Sequence, residues 1–273
     1  MSSLLPDFIT DHERIFVLTG AGVSTASGIP DYRDDSGNWK HQKPIEYREF
    51  VDQHESRQRY WARSFIGWQR FRLAAPNQAH QALARLEQMD RLATTVTQNV
   101  DGLHQRAGSR QVTELHGSLA KVVCLDCRIT IERAAMQQRL LDCNSVLIDL
   151  SAKSAPDGDA LLNDFDHCAI DVPACESCGG ILKPQVVFFG ETVPRARVEE
   201  CFDALATADA MLVVGSSLML YSGFRFIREA QRAQIPIAAI NRGKTRADEL
   251  LQLKVEQDCG MALNAALDYI DPD

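Results

Sequence analysis

Residues 17–33, VLTGAGVSTASGIPDYR, decide how the rest of the chain is read. The segment begins inside an apolar run, Ile15-Phe16-Val17-Leu18, with the composition of a buried strand. It breaks at Thr19 into Gly20-Ala21-Gly22 and continues through Ser24-Thr25-Ala26-Ser27-Gly28. A strand that feeds a small, glycine-rich turn is how α/β folds bring backbone N–H groups up to a pyrophosphate. Gly20 and Gly22 supply half of the dinucleotide fingerprint, but Thr25 stands where its third glycine belongs. No acidic residue clearly ends a second strand about 20 residues further on. On these letters alone a plain tight turn and a nucleotide site are equally good readings.

Composition narrows the field. The chain has 273 residues, 45% of them hydrophobic, which suits one large or two small domains with a sizeable core. A formal net charge of -8 argues against a nucleic-acid partner, and no basic patch suggests a membrane surface. No apolar run approaches the ~20 residues of a membrane span. The opening residues, MSSLLPDFITDHER, carry neither a signal-peptide core nor an arginine-rich presequence, so a cytoplasmic protein is expected. There the eight cysteines are expected as thiols or metal ligands, not as a disulfide framework.

Further along, Asp34-Asp35-Ser36-Gly37-Asn38 is rich in turn formers and is expected as a mobile loop near a ligand. Tyr60, Trp61, Phe65, Trp68 and Phe71 fall close to one helical face. They predict a helical module packed on the core, with a substrate-lining role as the alternative. Asn77 is a good N-cap for a helix carrying Leu83, Leu86 and Met89, and His80 reads as a buried, hydrogen-bonded histidine. A strand over residues 92–96 ends in Gln98-Asn99-Val100-Asp101-Gly102-Leu103-His104, and a short strand over 112–115 ends in His116-Gly117. In open α/β sheets ligands bind outside the carboxyl ends of strands. Three such ends, GAG, QNVD and HG, present chemistry rather than packing groups.

Cys124-Leu125-Asp126-Cys127 and Cys175-Glu176-Ser177-Cys178 form two C-x-x-C pairs. Each pair can place two sulfurs on one ion, and together they complete a tetrahedral Cys₄ zinc site. Four thiolates leave no position for water, so the zinc is expected to be structural. The spacer between the pairs predicts a helix over 131–150 followed by a polar loop. Cys143, Cys168 and Cys201 read as simple thiols.

Strand and helix then alternate: strands at 183–189, 211–214 and 235–240, helices at 194–206, 224–234 and 260–270. The strand ends are Gly190-Glu191, Gly215-Ser216-Ser217 and Asn241-Arg242-Gly243. The expected fold is α/β, a Rossmann-like doubly wound parallel sheet with a smaller inserted domain. Residues 1–38, 88–120 and 183–273 would form the dinucleotide-binding domain. Residues 39–87 (helical module) and 121–182 (zinc module) would form the smaller one, with ligands in the cleft between them.

Taken in order, GAGVSTASGIPDYR, TQNVDGLH, ELHG, the two C-x-x-C pairs, KPQVVFFGE, VVGSSL and INRG resemble the sirtuins, NAD-dependent protein-lysine deacylases. The resemblance spans roughly residues 8–270. YSGFRFI after GSSL and the long insert between the cysteine pairs look like class II, the branch of the fourth human sirtuin. Without a presequence, a bacterial member is expected.

The resemblance implies roles for particular residues. Gly20, Ala21, Gly22, Ser24 and Thr25 would line phosphates and ribose. Ile29, Asp31, Tyr32 and Arg33 would form the nicotinamide pocket. Gln98 would touch a ribose, and Asn99 and Asp101 would bind and orient the nicotinamide end. Gly215, Ser216, Ser217, Asn241, Arg242, Gly243 and Cys259 would hold the adenosine half. Val187, Phe189, Gly190 and Leu218 to Leu220 would pair with an acyl-lysine peptide as an added strand. His116 would be the general base, with Asn99 and Asp101 beside it, and His104 a supporting residue. A monomer is expected.

Two departures bear on substrate. Many sirtuin deacetylases carry proline where Ser222 stands. Tyr60-Trp61-Ala62-Arg63 matches the Tyr-x-x-Arg pair by which class III members hold acidic acyl groups; otherwise Arg63 is a solvated helix residue. Alternatives to deacylation are mono-ADP-ribosyl transfer to protein and a non-catalytic, zinc-stabilised NAD or ADP-ribose binding module.

Overall fold

The computed structural model describes residues 5–40, 44–147, 153–161 and 166–271. The chain starts with α1 (Leu5–Thr10) and β1 (Ile15–Thr19), then a 3₁₀ turn over Ala21–Ser27. Helices α2 (Tyr47–Asp52), α3 (His54–Phe71) and α4 (Gln78–Gln88) follow. Next come β2 (Leu92–Thr97), α5 (Leu103–Arg106), β3 (Val112–Glu114), β4 (Gly117–Cys124), β5 (Thr130–Glu132) and α6 (Arg133–Cys143). A small hairpin, β6 (Lys153–Ala155) and β7 (Asp159–Leu161), precedes β8 (Leu182–Val186). The chain closes with α7 (Arg195–Ala206), β9 (Ala210–Val214), α8 (Tyr221–Arg232), β10 (Ile237–Ile240), β11 (Leu253–Val255) and α9 (Cys259–Ile270).

Six strands form one parallel sheet in the order β11-β10-β9-β1-β2-β3. β1, β9 and β10 are buried along their whole length, because helices cover both faces of the sheet and every side chain needs apolar company. One face packs on α1, α4 and α9 through Phe8, Leu83, Leu86 and Leu263; the other packs on α7 and α8 through Val198, Leu205, Phe226 and Ile227. Winding reverses between β1 and β9, the switch point at which doubly wound sheets hold ligands.

A second, antiparallel sheet has the order β5-β4-β8. Its core holds Phe50, Trp61, Phe65, Val122, Met136, Leu140 and Phe188. Of the aromatic stripe expected on α3, Trp61 and Phe65 are buried in this core and Tyr60 packs against it, while Trp68 is half-buried and Phe71 packs instead against Ile29, Ala74 and Leu103. Arg133 lies in this core, 1% exposed, its guanidinium 4.8 Å from the Trp68 ring centroid and bonded to Ser64.

Several elements depart from expectation. The strand at 182–186 joins the antiparallel sheet rather than the parallel one, and stops early because Val187 N–H turns to the His116 carbonyl at 2.7 Å. Gln78–Gln88 packs with α9 on the parallel sheet, not with the helical module, because Leu83 and Leu86 face that core. The helix expected over 131–150 is β5 followed by α6; residues 148–150 lie outside the described ones. Asn77 does cap α4, and His80 completes the box: Asn77 Oδ1 accepts from Ala79 N–H, and His80 Nδ1 accepts from Asn77 N–H.

Arg63 is neither solvated nor free. Its Nε and Nη2 reach the Asp159 carboxylate at 2.9 and 2.5 Å, and Nε also donates to the Ala160 carbonyl. The pair pins the β6–β7 hairpin to α3, and neither Arg63 nor Tyr60 lines the cleft described below. The acyl-anchor reading of Tyr60 and Arg63 is therefore set aside. Removing Arg63 leaves a mostly buried carboxylate alone, at a cost of about 2 kcal/mol once solvent screening is counted. Arg63→Ala is expected to lower Tm by about 5 °C in a thermal scan. The ratio of acidic-acyl to acetyl removal should stay at the wild-type value; a selective loss of acidic-acyl removal would restore the anchor.

Candidate active site

The turns after β1 and β9 meet at the switch point. Gly20 N–H donates to the Val214 carbonyl at 3.1 Å and Gly22 N–H to the Gly215 carbonyl at 2.8 Å. A Cβ on Gly22 would lie 2.8 Å from that carbonyl oxygen, and one on Gly215, where φ is +62°, would lie 2.4 Å from Val23 N. These glycines are required first by each other: two strand ends cross too closely for any side chain. The sequence suggested room for a ligand at the main chain; the structure uses that room for the crossing and opens the cleft beside it.

That cleft is a cavity of about 940 Å³. It is large enough for a dinucleotide together with part of a second ligand. Gly20, Ala21, Gly22 and Thr25 line one side, with Ile29, Asp31, Tyr32 and Arg33 beyond them. Gln98, Asn99 and His116 form the floor. Gly215, Ser216, Ser217, Asn241, Arg242 and Cys259 form the opposite side. Val187, Phe189, Gly190, Leu218 and Leu220 line the remaining wall. Of the residues singled out from sequence, Ser24, Asp101 and Gly243 do not line it.

Ser24 and Asp101 sit behind the wall. Ser24 Oγ donates to Asp101 Oδ2 at 2.7 Å and accepts from Asn99 Nδ2 at 3.0 Å, while Asn99 Nδ2 also reaches the Gly20 carbonyl at 3.1 Å. Burial pushes the Asp101 carboxyl up, opposed by the Leu103 N–H and Ser24 hydroxyl that bond to it and by the charge of Arg106. The chain ties the QNVD turn to the GAG turn, so Asn99 is held by its own network. Below it His104 Nε2 lies 2.9 Å from Thr19 Oγ1, and its ring meets that of His80 edge to face, with centroids 4.9 Å apart. Desolvation pulls His80 to about 4 and His104 to about 3, so both are neutral supports. Gly243 packs against the Asp35 backbone.

His116, partly buried at the end of β3, is held from both sides. The Gln98 carbonyl can only accept, so Nδ1 carries the proton and donates to it at 2.9 Å. Nε2 is then the lone pair, and accepts from Ser222 Oγ at 2.9 Å. Desolvation pulls the imidazole down to about 4, against the Gln98 bond and with help from the charges of Arg197 and Arg225. At neutral pH the ring is an uncharged acceptor facing the cavity.

The segment after Tyr32 is not a featureless loop. Asp34 Oδ1 accepts from the N–H groups of Ser36 and Asn38, Lys40 pairs with Asp31 at 2.6 Å, and Lys244 N–H bonds the Asp35 carbonyl at 2.8 Å. It carries Trp39 onto Phe189, with ring centroids 5.6 Å apart, and Tyr32 edges both rings. The Arg33 guanidinium lies 4.3 Å from the Trp39 centroid. Sequence reasoning missed Trp39, Tyr221 and Arg225 as lining residues. No spacing rule marks them: Trp39 lies in the loop after Tyr32, and Tyr221 and Arg225 lie at the start of α8.

Cys124, Cys127, Cys175 and Cys178 come together as the spacing required, all four sulfurs within 4.8 Å of one another. Cys124 and Cys178 sulfurs lie 3.5 Å apart, Cys127 and Cys175 sulfurs 3.6 Å. A tetrahedron with Zn–S bonds of ~2.3 Å has edges of about 3.8 Å, so the cluster fits zinc closely. Cys143 and Cys168 are exposed and Cys201 is buried, all outside the cluster. Among the described residues no helix is long and apolar enough to cross a membrane.

Comparison with known proteins agrees with this geometry. The Sir2 family model matches residues 20–222. NAD-dependent protein deacetylase 2 of Bradyrhizobium diazoefficiens is 58% identical, over 95% of this chain and 95% of that protein. NAD-dependent protein lipoamidase sirtuin-4, mitochondrial, of Bos taurus is 45% identical, over 98% of this chain and 85% of that protein. A solved structure of Sir2 with a p53 peptide and NAD+ superposes with a TM-score of 0.76 at 28% identity, covering 96% of this chain and 95% of that one.

Proposed function

This chain belongs to the Sir2 family, and we propose that its cleft works by holding NAD across the sheet's switch point and acyl-lysine against the wall opposite. The protein is an NAD-dependent protein deacylase. Bound NAD supplies an electrophilic ribose carbon, with nicotinamide as the leaving group. Ala21, Gly22, Thr25, Gly215, Ser216, Ser217, Asn241, Arg242 and Cys259 hold the dinucleotide. Gln98 touches a ribose, and Ile29, Asp31, Tyr32, Arg33 and Asn99 enclose the nicotinamide end, with Ser24 and Asp101 fixing Asn99 from behind. Phe189, Gly190 and the segment from Leu218 to Leu220 bracket the peptide, and the Tyr32–Trp39–Phe189 aromatics exclude water from the acyl oxygen. Nε2 of His116 takes the proton of a ribose hydroxyl as the acyl group moves to it. With one water consumed as the amine is released, the products are nicotinamide, 2′-O-acyl-ADP-ribose and free lysine. Zinc on the four cysteines is structural and keeps the antiparallel sheet folded. The protein acts as a cytoplasmic monomer.

One observation carries this reading: a neutral histidine, held at both nitrogens, opens onto the crossing of two glycine turns. The test is product analysis with NAD and a panel of acetyl, acidic, long-chain and lipoyl lysine peptides. Acyl-ADP-ribose is expected in equal amount to nicotinamide for at least one of them. ADP-ribose found on protein, with no acyl-ADP-ribose from any peptide, would contradict it.

A further inference from the structure

The first turn of α8 brings a hydroxyl to the base from a different element than the one that carries His116. Ser222 lines the cleft, and its Oγ donates to Nε2 at 2.9 Å. The approach depends on the next residue. A Cβ on Gly223 would lie 2.7 Å from Gln98 Oε1, so a side chain there would have to push the Gln98 amide aside. Gln98 is itself anchored, its Nε2 donating to Ser216 Oγ at 2.8 Å and to the Thr19 carbonyl at 3.2 Å. Its backbone carbonyl takes the other imidazole nitrogen. The ring therefore stands between two fixed groups, a carbonyl that can only accept and a hydroxyl that can donate. That pairing selects one tautomer and one orientation.

We propose that Ser222 is a positioning residue for His116: its hydroxyl holds Nε2 as the acceptor facing the cleft until a ribose hydroxyl takes its place. The proposal rests on the reading of His116 as the base. Without the hydroxyl, a lone pair in a desolvated site loses its donor and the ring is fixed from one side only. Ser222 and Gly223 form the device together, the first by its hydroxyl and the second by leaving the Gln98 amide its place.

Two readouts test it, the first without NAD. In long-range ¹H–¹⁵N spectra of the free protein, assigned with His116→Tyr, the wild-type His116 Nε2 signal is expected at a hydrogen-bonded position. In Ser222→Ala it should move towards that of an unbonded imidazole nitrogen. Ser222→Thr, which keeps the hydroxyl, should restore it. In turnover, Ser222→Ala should lose roughly five- to tenfold in kcat, about one hydrogen bond's worth, with the peptide KM and NAD Kd within about twofold. Ser222→Thr should recover most of kcat. An unmoved Nε2 signal, or an unchanged kcat, in Ser222→Ala overturns the proposal. Full turnover in His116→Tyr would instead strike the base assignment, and would leave the spectra of the free protein to judge Ser222.

Discussion

His116→Tyr is expected to abolish deacylation, with kcat down by at least about a hundredfold, while NAD binding persists. A positioned base contributes ~10²–10⁴ in rate, and phenol is no base at neutral pH. The side chain also gives up the Nδ1–H that bonds the Gln98 carbonyl and the lone pair that takes Ser222. The contacts that hold the dinucleotide lie mostly on other turns, so its Kd, measured by calorimetry, should change by only a few-fold. Turnover above about a tenth of wild type would remove His116 from the base role.

Cys175→Ser, or chelation, is expected to unfold the antiparallel sheet and take activity with it. Cys175 is 6% exposed and packs in the core that holds Trp61, Phe65 and Met136. Structural zinc contributes ~10–16 kcal/mol in small zinc-binding peptides, more than a domain's usual margin of ~5–15 kcal/mol can lose safely. β4 carries the consequence to the active site: it runs the eight residues from Gly117, next to His116, to Cys124. Metal analysis should find one zinc per wild-type chain and little in the variant, and calorimetry should show an early transition or a Tm lowered by at least about 10 °C. A zinc-free variant with wild-type Tm would refute the structural role.

Much of this architecture is legible in the letters, for physical reasons. β1, β9 and β10 are unbroken apolar runs because the sheet is buried on both faces, and such runs stand out. The cysteine spacing is a covalent-scale constraint, so it survives any uncertainty about the fold between the pairs. His116 and Asn99 sit at strand ends, where topology alone brings them together. What was not legible depends on tertiary choice. KPQVVFF reads as a strand for either sheet, and the pairing with β4 decides between them. Tyr60 and Arg63 have the spacing of an acyl anchor, but a hairpin distant in sequence supplies Asp159 first. Ser24 and Asp101 belong to the site, yet as a network behind its wall, and no sequence pattern distinguishes a lining side chain from one that braces it. Ser222 was visible only as a departure from a family pattern; its bond to His116 gives the departure a physical meaning.

The central claim is that one cleft couples NAD cleavage to an acyl-lysine. The most direct measurement is nicotinamide release from NAD with an acyl-lysine peptide, with the same peptide unacylated, and with none. Release that requires the acylated peptide and matches its deacylation one for one is the predicted result. Equal release in all three, or NAD bound with no release in any, would contradict it.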